Sequence, residues 1–288
     1  MSTVSNYWAD PAPFHRLDEV RRQEPAVAAL WPAACVLLVS DRGGFGVVHG
    51  SDGPQLRTEP ASTPYDPARH WLLGRVGDQA WFATPEPVDS PMTIREVGSQ
   101  LSPPELGLAT MAAALEEWHR LEPHCPRCGG LTTVIAAGMA RSCQACGREL
   151  FPRTDPAVIV AVTDESDRLL LGHQGVWPVG RYSVLAGFVE AGESLEQAVH
   201  REVYEEAGIL LRDVTYVASQ PWPFPRSVML GFHAVARTTD IVVDGEEIVE
   251  ARWFTREELL AEVDQGTVGL PGASSIAHRL VSAWLNPA

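Results

Sequence analysis

The sequence predicts a mixed α/β fold, a sheet sandwiched by helices, set behind a metal-bound ribbon and a small β-rich N-terminal domain. Three observations carry this expectation. After residue 154, strand-like runs come in pairs with a few amphipathic helices between them, which suits a mixed sheet covered by helices better than a doubly wound nucleotide fold. Cys125, Cys128, Cys143 and Cys146 form two CxxC turns with fourteen residues between them. Ahead of the cysteines, short strand-like runs alternate with Gly- and Pro-rich turns. The expected domains are residues 1–103, 104–153 and 154–288.

The N-terminal strands are expected at 33–40, 45–49, 70–76 and 79–84, where β-branched and aromatic residues run between turns such as DRGG. The glycines of GGFGVVHG do not fit a dinucleotide loop and no helix follows them, so a hairpin turn is the better reading. Residues 104–121 space Leu, Met, Ala and Trp as a helix does and lead straight into the cysteines. Further strands are expected at 157–162, 168–171, 214–219, 228–236 and 248–254, and two helical stretches, REELLAEV and ASSIAHRLVSAWL, close the chain. Between them lies GFVEAGESLEQAVHREVYEEAGI. Ser194 and Gln197 form a capping box and Gly208 suits a left-handed C-cap, which predicts a helix over 195–207. Leu195, Ala198, Val199 and Val203 form its apolar stripe.

The chain has 288 residues with 22 basic against 37 acidic, a formal net charge of −15. That balance excludes a broad, sequence-independent grip on nucleic-acid phosphates, and no extended nucleic-acid surface is expected. No run reaches the roughly 18 to 20 apolar residues of a membrane span, and the start lacks the basic-then-apolar order of a signal peptide, so a cytoplasmic protein without membrane contact is expected. In that compartment the four paired cysteines suit tetrahedral zinc rather than disulfides. Four thiolates leave no open position, so this Zn²⁺, one per chain, is expected to be structural. Cys35, in the run AACVLLVS, reads as a small buried hydrophobe.

The glutamate helix is the chemical signal. Glu202, Glu205 and Glu206 crowd its last turn, where the helix dipole already disfavours anions. Such a cluster asks for a cation, and hard oxygen ligands suit Mg²⁺ or Mn²⁺. Arg201 can hold the preceding loop by pairing with a glutamate such as Glu193. On the glutamates alone, a solvated acidic face competes with the metal reading.

The whole pattern decides between them. Gly187, Glu193, Arg201-Glu202-Val203, Glu205-Glu206 and Gly208-Ile209 match every fixed position of the box GX5EX7REUXEEXGU, and the segment resembles that of the Nudix hydrolases. The resemblance implies an α/β/α sandwich whose loop–helix–loop binds divalent metal while water attacks a diphosphate. It also implies Glu202, Glu205, Glu206 and the Ala186 carbonyl as metal ligands, with Arg201 and Glu193 as the supporting pair. Of three acidic candidates further on, Glu246, Glu247 and Glu250, alignment to the subfamily selects Glu247 as an added ligand. Two or three Mg²⁺ or Mn²⁺ ions per site would then lower the pKa of a bound water, a glutamate would accept its proton, and Glu205 or Glu206 should be the most damaging to lose.

A second stretch, SQPWPFPRS, fixes its backbone with Pro221, Pro223 and Pro225 while Trp222 and Phe224 offer flat faces for an aromatic ring. By composition alone a Pro-rich partner ligand or a packed crossover loop competes. Its position after the box, together with the four-cysteine ribbon, resembles the NADH pyrophosphatases of the NudC type. That resemblance implies substrate contacts at Gln220, Pro221, Trp222, Pro223, Phe224, Pro225, Arg226 and Ser227, and at Ala277. It also implies stacking of nicotinamide on Phe188 and an aromatic supplied across a homodimer at Phe151, here lacking the hydroxyl of the usual Tyr. The implied reaction cleaves NAD(H) to nicotinamide mononucleotide and AMP and extends to the NAD cap of RNA 5′ ends. A broader ADP-ribose or nucleotide-sugar pyrophosphatase, or a silent nucleotide sensor, stands as the alternative. Residues 1–103 are expected to support folding.

Overall fold

A computed structural model describes residues 8, 10–51 and 53–287. Contacts divide the chain into two compact units: one takes in Asp10–Thr154 together with Trp222–Arg226, the other Asp155–Pro221 and Ser227 onward. Among the described residues no helix is long and apolar enough to cross a membrane.

In the first unit a six-stranded sheet is built around Cys35–Ser40, which runs parallel to Gln79–Pro85 and antiparallel to Gly44–Phe45 and Thr58–Pro60. The long helix Pro103–Leu121, capped by Ser102 and Glu105, buries Leu108, Met111, Ala112 and Leu115 against this sheet. Two features depart from the sequence reading. The run expected as one strand over 45–49 breaks at Gly46, where Arg57 packs so closely that a Cβ would lie 2.9 Å from its Nε. Val47–Gly50 then pairs with Gly53–Leu56 in a ribbon of its own. Cys35 is partly exposed rather than buried, because it is the first residue of its strand, while Val36, Leu37 and Val39 further along are covered. A helix over Glu24–Leu30, started by Pro25 in its first turn, was not expected.

The second unit is an α/β/α sandwich. Its sheet has the order Leu211–Trp222, Ser227–Ala236, Asp155–Thr163, Leu169–Gln174, Ile248–Phe254, with Leu185–Phe188 also paired to Asp155–Thr163. Asp155–Thr163 and Ser227–Ala236 are parallel, in register at Ile159 and Gly231, and the other pairs along Asp155–Thr163 are antiparallel. Alternation along the central strand makes two cores. Val158, Val160 and Val162 point to one face and pack with Ala198, Val199, Val203 and Ala207 of the glutamate helix. Ile159 and Ala161 point to the other and pack with Leu259 of the helix Arg256–Asp264 and with Ile276, Leu280, Val281 and Trp284 of the helix Ile276–Leu285.

The glutamate helix spans Leu195–Ala207. Ser194 Oγ accepts from the Gln197 N–H at 3.2 Å while Gln197 Oε1 accepts from the Ser194 N–H at 2.8 Å, closing the N-terminus. Gly208 ends it at φ 70°, and its N–H donates to the Tyr204 carbonyl. A Cβ there would meet Val242 Cβ at 3.1 Å in addition to the left-handed strain. Gly208→Ala should therefore lower stability by about 1–2 kcal/mol, read as a fall in the midpoint of chemical denaturation with unchanged m.

Candidate active site and metal centres

The ribbon is built from two copies of one local device. Gly129 donates its N–H to the Cys125 carbonyl and Gly147 to the Cys143 carbonyl, each at 2.9 Å. Both glycines have positive φ, +71° and +69°, so each knuckle closes on a residue free to be left-handed. Three short strands, Thr132–Ile135, Ala140–Cys143 and Glu149–Leu150, bring the knuckles together. Knuckle N–H groups hold the Cys125 and Cys143 thiols below the ordinary value, while the neighbouring sulfurs push Cys128 up. The four sulfurs lie within 4.8 Å of one another, with Cys125–Cys146 at 3.8 Å and Cys128–Cys143 at 3.5 Å. A tetrahedron of Zn–S bonds of about 2.3 Å has an edge of roughly 3.8 Å, so the donor set fits zinc. Elemental analysis should find one zinc per chain, and Cys143→Ser should release it and melt the ribbon, seen as loss of amide-exchange protection across residues 125–150.

The glutamate helix meets the strand Leu185–Phe188 at Gly187. A Cβ on Gly187 would fall 2.0 Å from Glu202 Cδ, so only glycine lets this carboxylate lie against the strand. Arg201 organises everything around it. Its Nε and Nη2 donate to the two oxygens of Glu193 at 2.7 and 2.9 Å, its Nη1 to Glu202 and Glu205 at 2.8 and 2.9 Å, and its Nη2 to the Phe188 carbonyl at 2.8 Å. This bidentate grip, with the Glu190 N–H, holds the Glu193 carboxyl down at about 2. Glu202 stays above the usual carboxylate range because burial outweighs the pull of Arg201.

Glu206 is placed differently. It is 2% exposed, and neither carboxylate oxygen has a hydrogen-bond partner. Burial first, then the charges of Glu247, Glu202 and Asp244, push it up to about 9. An unpartnered carboxylate facing three acids is what a divalent cation would satisfy, and the oxygen-only donor set suits Mg²⁺ or Mn²⁺. Glu247 is exposed on the loop before Ile248, with one oxygen 3.4 Å from the Gln174 amide. Asp244 accepts from the Glu247 and Ile248 N–H groups and fixes that loop. Glu205 is 57% exposed and Ala186 sits in the strand opposite Ile159. Among the described residues, only the four cysteines bring their ligand atoms this close together; Arg201 draws Glu202 and Glu205 toward itself.

The remaining expected residues fall into three groups. Phe188 is 58% exposed, one residue beyond Gly187. Gln220, Ser227 and Ala277 are buried: Gln220 donates to the Ser274 carbonyl at 2.7 Å and accepts from the Ile276 N–H at 2.6 Å, which pins the start of the last helix, and Ala277 lies in the core beneath it. Trp222–Arg226 belong to the first unit. There the Trp222 and Phe224 rings meet edge to face at 5.2 Å, and the Arg95 guanidinium lies 5.1 and 4.3 Å from their centroids. Arg226 pairs with Glu122. Phe151, also in that unit, is 53% exposed. Sequence reasoning missed Arg95, Asp244 and Gln174; for Asp244, its place three residues before Glu247 in a Gly-containing turn was the available signal.

Residues 153–269 match the family model described as NUDIX domain, and residues 114–151 the one described as NADH pyrophosphatase zinc ribbon domain. A protein of Mycobacterium bovis named "NAD-capped RNA hydrolase NudC" is 39% identical over 289 residues, covering 93% of this chain and 91% of that protein. The chain is a Nudix hydrolase of the NudC type. Other relatives of this family include "Nudix hydrolase 19, chloroplastic" of Arabidopsis thaliana, 39% identical over 68% of this chain and 56% of its own length. "NAD-capped RNA hydrolase NUDT12" of Macaca fascicularis is 40% identical over 65% of this chain and 43% of its own. A Nudix hydrolase implies a divalent metal, and the unpartnered Glu206 is where this chain is prepared for one.

Two outcomes follow for the metal-free protein. The Glu206 carboxyl is raised on folding, so its contribution is fully present below the unfolded carboxyl pKa of roughly 4.3 and is lost as pH rises towards about 9. Its melting temperature should fall from pH 5 to pH 9, Glu206→Gln should flatten the fall, and saturating Mg²⁺ should suppress it in the unmutated chain. Gly187→Ala should leave melting nearly unchanged, since the far end of Glu202 can swing away, yet weaken Mn²⁺ binding by about tenfold in a spin-resonance titration.

Proposed function

We propose that this chain hydrolyses the central diphosphate bond of NAD(H), giving nicotinamide mononucleotide and AMP, and removes the NAD cap from RNA 5′ ends. The observation that carries this reading is the buried, unpartnered Glu206 carboxylate facing Glu202, Glu247 and Asp244 beside a loop locked by Arg201. The named activity of the Mycobacterium bovis relative supports the substrate.

Glu202, Glu205, Glu206, Glu247 and the Ala186 carbonyl would hold two or three Mg²⁺ or Mn²⁺ ions. These ions supply charge neutralisation for the diphosphate and a more acidic bound water. The protein's own part is positional. Arg201 and Glu193 keep the loop and helix in one register, so the carboxylates keep their places as charge builds on the phosphates. Glu205 is the exposed carboxylate of the helix's own three and the one placed to take a proton from water, with only its single contact to Arg201 to give up. Phe188 offers an exposed ring for nicotinamide, and Trp222 and Phe224 offer aromatic faces that Arg95 holds together. With Gln220 and Ala277 buried, their contribution to substrate would be the shape of the adjoining backbone. We place residues 154–288 as the hydrolase domain, 104–153 as connecting helix and ribbon, and the working protein as a cytoplasmic homodimer to which Phe151 contributes across the interface.

Product-resolved hydrolysis of NADH, NAD⁺, ADP-ribose and NAD-capped RNA tests this reading. Nicotinamide substrates should give mononucleotide and AMP, and Glu206→Gln should be about a thousandfold slower, close to 4 kcal/mol in the barrier. If ADP-ribose is cut as fast as NADH, the nicotinamide roles of Phe188 and the proline loop fall and a broader pyrophosphatase remains. Tight NAD binding with zero turnover would instead identify a sensor.

A further inference from the structure

A cavity of about 510 Å³ lies wholly within the first unit, walled by Trp31, Leu38, Pro60, Pro64, His70 and Thr84. Its size falls within the roughly 300–1,000 Å³ of small-molecule sites. Two polar side chains in its wall have hydrogen-bonding capacity to spare. His70 is 6% exposed and stacked on Trp31 at 3.9 Å. Its Nδ1 accepts from the Asp66 N–H at 2.9 Å, which fixes the neutral tautomer with the hydrogen on Nε2, and among the described residues nothing accepts that hydrogen. Thr84 is also 6% exposed, and its Oγ1 has no partner. Burying the Thr84 hydroxyl unpaired is costly, and the His70 Nε2–H is a free donor in the same wall, so a further partner would engage both.

The two are neighbours. Trp71 pairs with Ala83, so His70 and Thr84 lie one residue beyond that pair, and both line the cavity. An N–H donor beside a hydroxyl able to accept complements an amide-type edge, in which a carbonyl or ring-nitrogen acceptor adjoins an N–H donor. The rim sets the charge. Arg69 is already paired with Glu86 at 2.5 Å and Arg57 with Glu59 at 3.9 Å, which leaves Asp66 as the uncompensated charge of the lining and no lining cation for an anion.

We propose that this cavity is a second, non-catalytic ligand site for an uncharged planar ring with an amide-type edge, a carboxamide or a nucleobase. His70 Nε2–H donates to the ring's acceptor, and the Thr84 hydroxyl accepts from its N–H. The β-rich unit therefore binds a small molecule in addition to supporting the fold.

The test uses the full-length zinc-loaded protein and follows the His70 ring nitrogen by NMR, with nicotinamide, adenine and nicotinamide mononucleotide as probes. Nicotinamide or adenine should shift the Nε2 signal saturably, and the anionic mononucleotide should bind at least tenfold more weakly. Thr84→Val keeps the side-chain shape, removes the unsatisfied hydroxyl, and should weaken the preferred probe by about tenfold while leaving the melting temperature equal or higher. His70→Phe should abolish binding; if it fails to fold, Thr84→Val still decides. No saturable shift with any probe, equal affinity in Thr84→Val, or a preference for the mononucleotide would overturn the proposal. Because the readout is a residue of the first unit, none of these outcomes depends on whether the hydrolase reading holds.

Discussion

One guanidinium holds the candidate site together. Arg201 extends from the glutamate helix and bonds a loop carboxylate, a strand carbonyl and two carboxylates of its own helix. Removing it would leave Glu193 without its main counter-charge and return Glu202 and Glu205 to mutual repulsion at a helix C-terminus, where the dipole adds to the cost. A lysine could supply charge but not a planar fork that meets both oxygens of Glu193 while reaching the strand. The loop's position, the strand's distance from the helix and the orientation of the carboxylates therefore depend on one side chain.

The sheet makes that arrangement possible. Period-two alternation along Asp155–Thr163 sends every second residue to one of two cores, so the helix carrying the glutamates is seated by Val158, Val160 and Val162 without involving its acidic face. Leu185–Phe188 is held by the same central strand, through Ile159 and Ala186. Helix and strand are thus referred to one template. Their closest approach, at Gly187, leaves just the room that the Glu202 carboxylate occupies. What the fold stabilises is a carboxylate, Glu206, that it cannot itself satisfy.

Local signals in the sequence proved legible. Ser194, Gln197 and Gly208 set the ends of the glutamate helix because caps act within one turn, and the spacing of the cysteines carried the ribbon because a knuckle is a four-residue device. Partners distant along the chain were not legible. Arg95 lies more than a hundred residues from the rings it joins, and nothing within IREV marks it. Gln220 and Ala277 illustrate the converse: a motif names them, but only the packing of the last helix shows that Gln220 spends both ends of its amide on that helix's first turn and that Ala277 lies beneath it. The strand break at Gly46 and the partial exposure of Cys35 depend on Arg57 and on where a strand begins, neither of which a hydrophobic pattern can register.

Charge explains why this chain needs a metal rather than a basic patch. All 22 basic residues are arginine, in a protein of net charge −15. In the second unit Arg168, Arg201, Arg212, Arg252 and Arg256 are each ion-paired to acids of the same unit. A guanidinium already held by a carboxylate has little left to offer a phosphate, and at the acidic cluster itself Glu202, Glu206, Glu247 and Asp244 would repel the two phosphate charges of a dinucleotide. Divalent ions held there would reverse the sign of that field at the point where the carboxylates are densest, and would confine recognition by charge to a few ångströms around a bound diphosphate.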